Sequence, residues 1–440
     1  MTTASEESID AQAIASPPAI SLKSAFDEES LNVMNFLNEV VSRFPEAISF
    51  APGRPAEGYF DVPGSLAEIP RFVAYRAEKR KVSQDAVYRE LGQYGITNGV
   101  IQDLICQQLA NDEGIHTQPS SIVVTTGCQE AMTILLLALF DAATDVLLSS
   151  DPTYIGITGL ARILGIEVMP IDMGDHGLEA SAVRAALTEI RLRGKRARAV
   201  YDVPDFNNPM GTSMPLAARH ELLALAESEG LWIFEDNPYG MFAYDDKPAP
   251  TLKSLDRAGR VLYLGSYSKT LFPSLRVGFV VAEQEVERAD GSMSSLAFEL
   301  SKVKSLTTVN TPPLLQAVVG GTILAEGGTL RALVERKLPF YRANRDRMLA
   351  ALDRELAGTG TTWNRPGGGF FLTVTLPFEF TDEHLTASAR DFGVIVCPMP
   401  FFSLRAGRER QIRLSFSYVS PEQIDEGVAR LARFVREVLS

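Results

Sequence analysis

The order of apolar runs along this chain predicts an α/β fold: a large unit with a mostly parallel sheet between helices, then a smaller α+β unit. Three observations carry that expectation. Between about residues 100 and 282, short runs rich in Val, Ile, Leu, Phe and Tyr alternate with helical stretches. At 440 residues the chain can bury more than one core. After Gly327-Gly328, a charged amphipathic stretch over 329–356, interrupted at Pro339, leads into a second set of strands. The expected divisions are a disordered tail over 1–25, an arm over 26–60 that belongs with the smaller unit, the larger unit over 61–325 and the smaller one over 326–440.

A helix is expected over 26–44. Asp27, Glu28 and Glu29 come early, where the helix dipole favours them, and Leu31, Met34, Phe36, Leu37, Val40 and Val41 form an apolar face. Next, Ile48-Ser49-Phe50-Ala51-Pro52-Gly53-Arg54-Pro55 puts a glycine where backbone can approach a ligand and an arginine that can reach an anion. Arg54 reads equally as a solvated turn residue. A strand over 122–125 is followed by Thr126-Gly127-Cys128-Gln129-Glu130 and an apolar helix from Ala131. Such a turn is an anion site, because the first N–H groups of the helix are unpaired and its dipole favours negative charge.

Further strands over 146–149, 199–203, 231–234 and 261–264 lead into four motifs. These are Asp151-Pro152-Thr153-Tyr154, Asn207-Asn208-Pro209, Glu235-Asp236-Asn237-Pro238-Tyr239 and Ser266-Tyr267-Ser268-Lys269. A helix over 222–230 closes on Gly230. Ligands of parallel sheets bind beyond the carboxyl ends of the strands, where each of these motifs falls. A lysine delivered there into apolar, hydroxyl-lined surroundings should lose part of its basicity and be available as a neutral amine for Schiff-base chemistry. Read alone, Lys269 is also what a solvated surface charge looks like. Asp236 with Tyr239 three residues on suits an aromatic cofactor that carries a ring nitrogen and a ring oxygen. The carboxylate would keep the nitrogen protonated, and the phenol would donate to the oxygen.

In the smaller unit, Gly367-Gly368-Gly369 precede a strand over 370–376, and strands follow over 394–397 and 411–416. The last alternates, so Arg413 and Ser415 share one face while Ile412 and Leu414 take the other. The chain closes with a helix. Ser420 and Gln423 form a capping box, Pro421 opens the first turn, and Ile424, Val428, Leu431, Val435 and Val438 line one side.

Composition excludes several classes. A net charge of −13 argues against nucleic acid or an anionic membrane as partner. Cys106, Cys128 and Cys397 have no spacing for a disulfide framework or zinc, and none of the four histidines stands at ligand spacing from another, so no metal is expected. The longest apolar stretch, 131–140, is interrupted by Thr133 and falls short of the ~20 residues that span a bilayer. The N-terminal tail has neither the basic start nor the apolar core of a signal peptide. A cytoplasmic protein is expected.

Taken together, the Lys269 and Asp236 stretches resemble the fold type I aminotransferases of class I and II, which use pyridoxal 5'-phosphate (PLP). Seven motifs fall in family order over about residues 27–440. The resemblance implies that Lys269 carries the cofactor as an aldimine and then moves the proton. Asp236, Tyr239 and Asn208 would hold the ring nitrogen and oxygen, and Tyr154 would stack on the ring. Gly127, Cys128, Gln129, Ser266, Ser268 and Arg276 would hold the phosphate; the family usually has serine or alanine where Cys128 stands. Arg413 would clamp the substrate's α-carboxylate, with Gly53 and Arg54 on the substrate side. Tyr94 would reach the phosphate of a neighbouring subunit, and the segment 310–313 would meet that subunit, giving a homodimer with shared sites. The partners implied are an amino acid and a 2-oxo acid.

Transamination leads a lyase, racemase or decarboxylase reaction of the same cofactor. A transcription regulator with an aminotransferase-like domain would need a basic winged-helix domain, for which this acidic chain has no room. Met399, Phe401 and Phe402 offer a surface for a bulky or aromatic substrate, or else pack the core of the smaller unit. The runs at 34–38 and 49–55 resemble the transaminases that make arylglycines, of dihydroxyphenylglycine type, for peptide antibiotics. Arg54 supplies the rival expectation, a second carboxylate as in a 2-aminoadipate enzyme.

Overall fold

The computed structural model describes residues 19–23, 26, 43–174, 176–245 and 248–440. Most of the helix expected over 26–44 and most of the tail lie outside them. The larger sheet has seven strands: β1 (Ile122–Thr125), β2 (Asp145–Asp151), β3 (Glu167–Asp172), β4 (Arg196–Asp202), β5 (Trp232–Asp236), β6 (Val261–Ser266) and β7 (Gly278–Val281). Their spatial order is β1-β7-β6-β5-β4-β2-β3. All run parallel except β7, which is antiparallel to both of its neighbours.

The strands are near-continuous apolar runs because both faces are covered. Along β1, Val123 faces one core while Ile122 and Val124 face the other; along β5, Phe234 and Ile233 divide in the same way. The helices Cys128–Leu139 and Leu296–Thr307 pack side by side. Helices Ala180–Leu192 and Leu216–Glu229 pack on each other, as do Ile69–Arg80 and Pro313–Ala325. Helix Leu216–Glu229 starts earlier than expected, directly after Pro215, and stops as expected at Gly230 (φ 68°).

A second, antiparallel sheet orders β8 (Thr362–Trp363), β9 (Phe371–Thr375), β11 (Gln411–Ser415) and β10 (Cys397–Pro398) as β8-β9-β11-β10. The single strand expected over 394–397 is divided. Val394–Ile395 pairs with Ile48–Ser49, whereas Cys397–Pro398 pairs with β11, so the chain changes partner at Val396. The arm around Phe50 is laced into this region: Phe50 N–H donates to the Ile395 carbonyl (2.8 Å) and Ser415 N–H to the Phe50 carbonyl (2.7 Å). Ser420 and Gln423 form the capping box of helix Pro421–Leu439, which buries Ile424, Val428, Leu431 and Val435.

One buried ion pair fixes the turn after β1. Glu130 accepts from Thr126 N–H (2.6 Å) and pairs with Lys304 Nζ (2.6 Å), and both side chains are nearly inaccessible. Removing one partner strands a charge in the interior. Lys304→Met should therefore lower stability by about 3–5 kcal/mol in urea unfolding, against less than about 0.5 kcal/mol for the exposed Lys302→Met. An equal, small loss for both would count against a buried charge at Glu130.

Candidate active site

Parallel strands bring their carboxyl ends to one edge, and there a cavity of about 500 Å³ opens between the two sheets. It is lined by Gly53, Arg54, Cys128, Gln129, Tyr154, Asn208, Asp236, Tyr239, Ser266, Ser268, Lys269, Arg276 and Arg413. Gly127 lies directly behind it: a Cβ there would stand 2.6 Å from Arg276 Nη2. Of the residues expected to touch the cofactor, Tyr94 lies apart. It is 81% exposed, in a separate groove that it shares with Gly95 and Pro313.

At one end of the cavity, Gly127 (φ 76°, ψ 172°) turns β1 into helix Cys128–Leu139, whose first N–H groups have no side-chain cap. Close approach shapes this corner, since a Cβ on Gly278 would lie 2.9 Å from the Gly265 carbonyl oxygen and 3.0 Å from Gly127. Arg276 adopts a left-handed backbone (φ 48°), which costs a non-glycine residue about 1–2 kcal/mol, and lines the cavity beside Ser266 and Ser268. Unpaired N–H groups, hydroxyls and a guanidinium together make an anion cradle.

Lys269 stands in the turn after β6. Its Nζ donates to the Gly53 carbonyl (2.9 Å) and lies 6.0 Å from the centre of the Tyr239 ring. Burial, then the charges of Arg413 and Arg276, lower its pKa to about 8. Asp236 ends β5. One of its oxygens, Oδ2, accepts from Tyr201 Oη (2.7 Å), whereas Oδ1 is buried with no hydrogen-bond partner among the described residues. Burial raises this carboxyl to about 6, against the Tyr201 hydroxyl, the Cys128 thiol and the Lys269 charge. A buried carboxylate oxygen without a donor asks for a cationic N–H, and the protonated ring nitrogen of PLP is such a group.

Tyr154 precedes helix Ile155–Leu164, and its ring folds back over Gly156, where a Cβ would come within 2.3 Å of it. Burial raises the Tyr154 and Tyr239 phenols, so both stay protonated donors. Asn208 forms the Asn208-Pro209 turn after β4 and accepts from Arg413 Nη1 (2.7 Å). Arg413 is buried between two rings, Phe371 at 4.4 Å and Phe402 at 4.6 Å, and its Nη2 donates to the Ala51 carbonyl.

The segment 397–402 serves both of its expected uses. Phe402 lines the cavity and also belongs, with Met399 and Cys397, to a small core that holds Ala51 and Ile395. Tyr201, Met132, Gly156 and Phe371 were not singled out in the sequence. Tyr201 sat visibly near a strand end, but the others look like ordinary core or turn residues.

The sequence profile of the family described as aminotransferase class I and II matches residues 74–431. The (S)-3,5-dihydroxyphenylglycine transaminase of Amycolatopsis orientalis is 43% identical over 415 residues, 94% of this chain and 93% of that one. The 2-aminoadipate transaminase of Thermus thermophilus is 32% identical over 399 residues, 90% of this chain and 92% of that one. Among solved structures, the kynurenine aminotransferase of Pyrococcus horikoshii superposes with a TM-score of 0.80 at 28% identity, covering 96% of this chain and 98% of that one. The α-aminoadipate aminotransferase of Thermus thermophilus, complexed with N-(5'-phosphopyridoxyl)-L-leucine, has a TM-score of 0.75 at 28% identity, with 95% and 99% covered.

The lowered basicity of Lys269 has a measurable sign. Its amine should be mostly neutral, and so nucleophilic, above about pH 8 rather than above 10.5. Trace acetylation of the cofactor-free protein across pH, read at the Lys269 peptide, should give a midpoint near 8. A midpoint in the ordinary lysine range would contradict an enclosed amine.

Proposed function

The chain belongs to the class I and II aminotransferases, and from that premise we propose that it moves an amino group between an L-amino acid and a bulky 2-oxo acid of aryl-glyoxylate type. Its cofactor is PLP, which when bound supplies an electron sink for the pair left at the substrate's Cα. In this reading the cradle of Gly127, Cys128, Gln129, Ser266, Ser268 and Arg276 would hold the phosphate, and Tyr154 would serve as the aromatic neighbour of the ring. Asp236 keeps the ring nitrogen protonated, while Tyr239 and Asn208 attend the ring oxygen. Lys269 Nζ would carry the proton between the substrate's Cα and the cofactor's C4′, in opposite directions in the two half-reactions, which its pKa of about 8 suits. Arg413, kept flat between Phe371 and Phe402, receives the α-carboxylate in its fork.

The observation that carries the substrate class is the apolar lining contributed by Met132, Ile155, Phe371 and Phe402. The relative that acts on a dihydroxyphenylglycine supports it. We assign the enzyme to arylglycine supply for peptide antibiotics, following the resemblance around Ser49 and Pro55. A second reading rests on Arg54, which lines the same cavity and could take a second carboxylate, as in the 2-aminoadipate relative. Phenylglyoxylate-type acceptors should exceed 2-oxoadipate in kcat/KM by about tenfold or more, the scale of one well-filled apolar pocket. A preference for the dicarboxylate that disappears in Arg54→Ala would instead establish the second reading.

We further read residues 61–325 as the large domain and 326–440 as the small one, with the arm up to residue 60 attached to the latter through Ile48–Ser49. Three free cysteines suit the cytoplasm. A homodimer is supported by exposed apolar groups at or beside the two elements expected at a partner: Tyr94 and its neighbour Ile96, and Leu306, Val309 and Leu314 flanking the segment 310–313. If Tyr94 serves the partner's site, Tyr94→Phe and Lys269→Ala subunits, each poorly active alone, should regain about a quarter of wild-type activity on 1:1 mixing, because half the dimers then hold one intact site. No recovery on mixing, or a monomer in ultracentrifugation, would exclude shared sites.

A further inference from the structure

Tyr201 and Asp236 lie on neighbouring parallel strands, β4 and β5, in a register that sets Tyr201 opposite Phe234. Side chains alternate along a strand, so Phe234 and Asp236 share a face, and Tyr201 is the diagonal neighbour of Asp236 across the pair. Only a long side chain with a polar tip bridges that diagonal. The Tyr201 hydroxyl meets Oδ2 of Asp236 at 2.7 Å, and both residues are buried. The rest of the Tyr201 ring sits in the apolar core with Leu147, Phe234 and Leu262, where a phenylalanine would pack as well. A hydroxyl buried there, with the carboxylate as its partner, points to a task beyond packing.

We propose that Tyr201 is a positioning residue for the reaction: its hydroxyl pins Oδ2 of Asp236, turns Oδ1 toward the cofactor's ring nitrogen, and holds the carboxylate in its charged form. This rests on the reading that Asp236 serves that nitrogen. The groups that face Asp236 are Tyr201 from β4, Cys128 from the helix after β1, Lys269 from the turn after β6, and Tyr154 and Tyr239 from the loops at the strand ends. Burial pushes the carboxyl toward its neutral form, and the Tyr201 hydrogen bond is the first of the contacts that oppose it, ahead of the Cys128 thiol and the Lys269 charge. The Cys128 Sγ donates to the Gly265 carbonyl (3.3 Å), so it supports the same corner more weakly.

The test is a double-mutant cycle on the holoenzyme, read by PLP dissociation constant and by the pH dependence of kcat/KM. Tyr201→Phe should weaken PLP about tenfold and move the acidic limb up by about one pH unit. In an Asp236→Ala background the same change should alter PLP affinity by less than about twofold, because the contact it removes is already gone. Equal losses in both backgrounds would mean that Tyr201 acts through packing, and would overturn the proposal. If Asp236→Ala leaves PLP affinity and turnover unchanged, the reading of Asp236 fails and this inference falls with it. Should Tyr201→Phe not fold, 3-fluorotyrosine at position 201 keeps the ring and strengthens the donor. It should then move the acidic limb down, and an unmoved limb would overturn the proposal as surely.

Discussion

Asp236, Lys269 and Arg413 are gathered in one partly apolar cavity, and the protein must replace the water each has lost. Leaving them unsolvated would cost several kcal/mol per charge, more than a folded domain can spare. Each is met differently. Asp236 receives the Tyr201 hydroxyl, Lys269 donates to the Gly53 carbonyl, and Arg413 donates to Asn208 and the Ala51 carbonyl while two rings cover its faces. This solvation is incomplete, and Arg413 Nε is left buried without a partner among the described residues. The Lys269 amine is easily neutral, and Asp236 keeps one oxygen without a donor.

Two of these replacements come from the arm that holds Ile48–Ser49. The arm is anchored outside the cavity by pairing with Val394–Ile395 and by the bond from Ser415 N–H to the Phe50 carbonyl. Tyr418 Oη and Ser417 Oγ add bonds to the carbonyls of Ser49 and Arg54. The arm can therefore present the Ala51 and Gly53 carbonyls at fixed positions. Glycine suits position 53, because a Cβ there would lie 2.2 Å from Cζ of Phe371 and the ring would have to move. Phe371 thus presses on the arm and on the guanidinium of Arg413 at once, joining the support of the lysine to that of the arginine.

Aromatic packing around Arg413 also sets the character of its end of the cavity. Stacked rings leave a guanidinium free only along its edge, which favours planar, two-point recognition of a carboxylate. The same rings belong to the cavity wall, so the residues that orient the arginine also give that wall its apolar surface. Arg54 is exposed and lies on the lip of this cavity, where water screens its charge.

Much of this was legible in the chain itself. Alternating apolar runs marked the strands of the parallel sheet, and the residue types at their ends marked lysine, carboxylate and anion-cradle chemistry, because both signals are local. The capping box at Ser420 and the helix stop at Gly230 were local for the same reason. The contacts that make the site work were not. Tyr201 reaches Asp236 diagonally across two strands, Gly53 meets Lys269 from far away in the chain, and Phe402 reaches the cavity from the same small core that encloses Met399. The sequence by itself therefore determined which chemistry stands at which strand end. Only the tertiary structure decided which of those groups share a cavity and what takes the place of their water, since contacts between distant segments leave no periodicity or spacing to read.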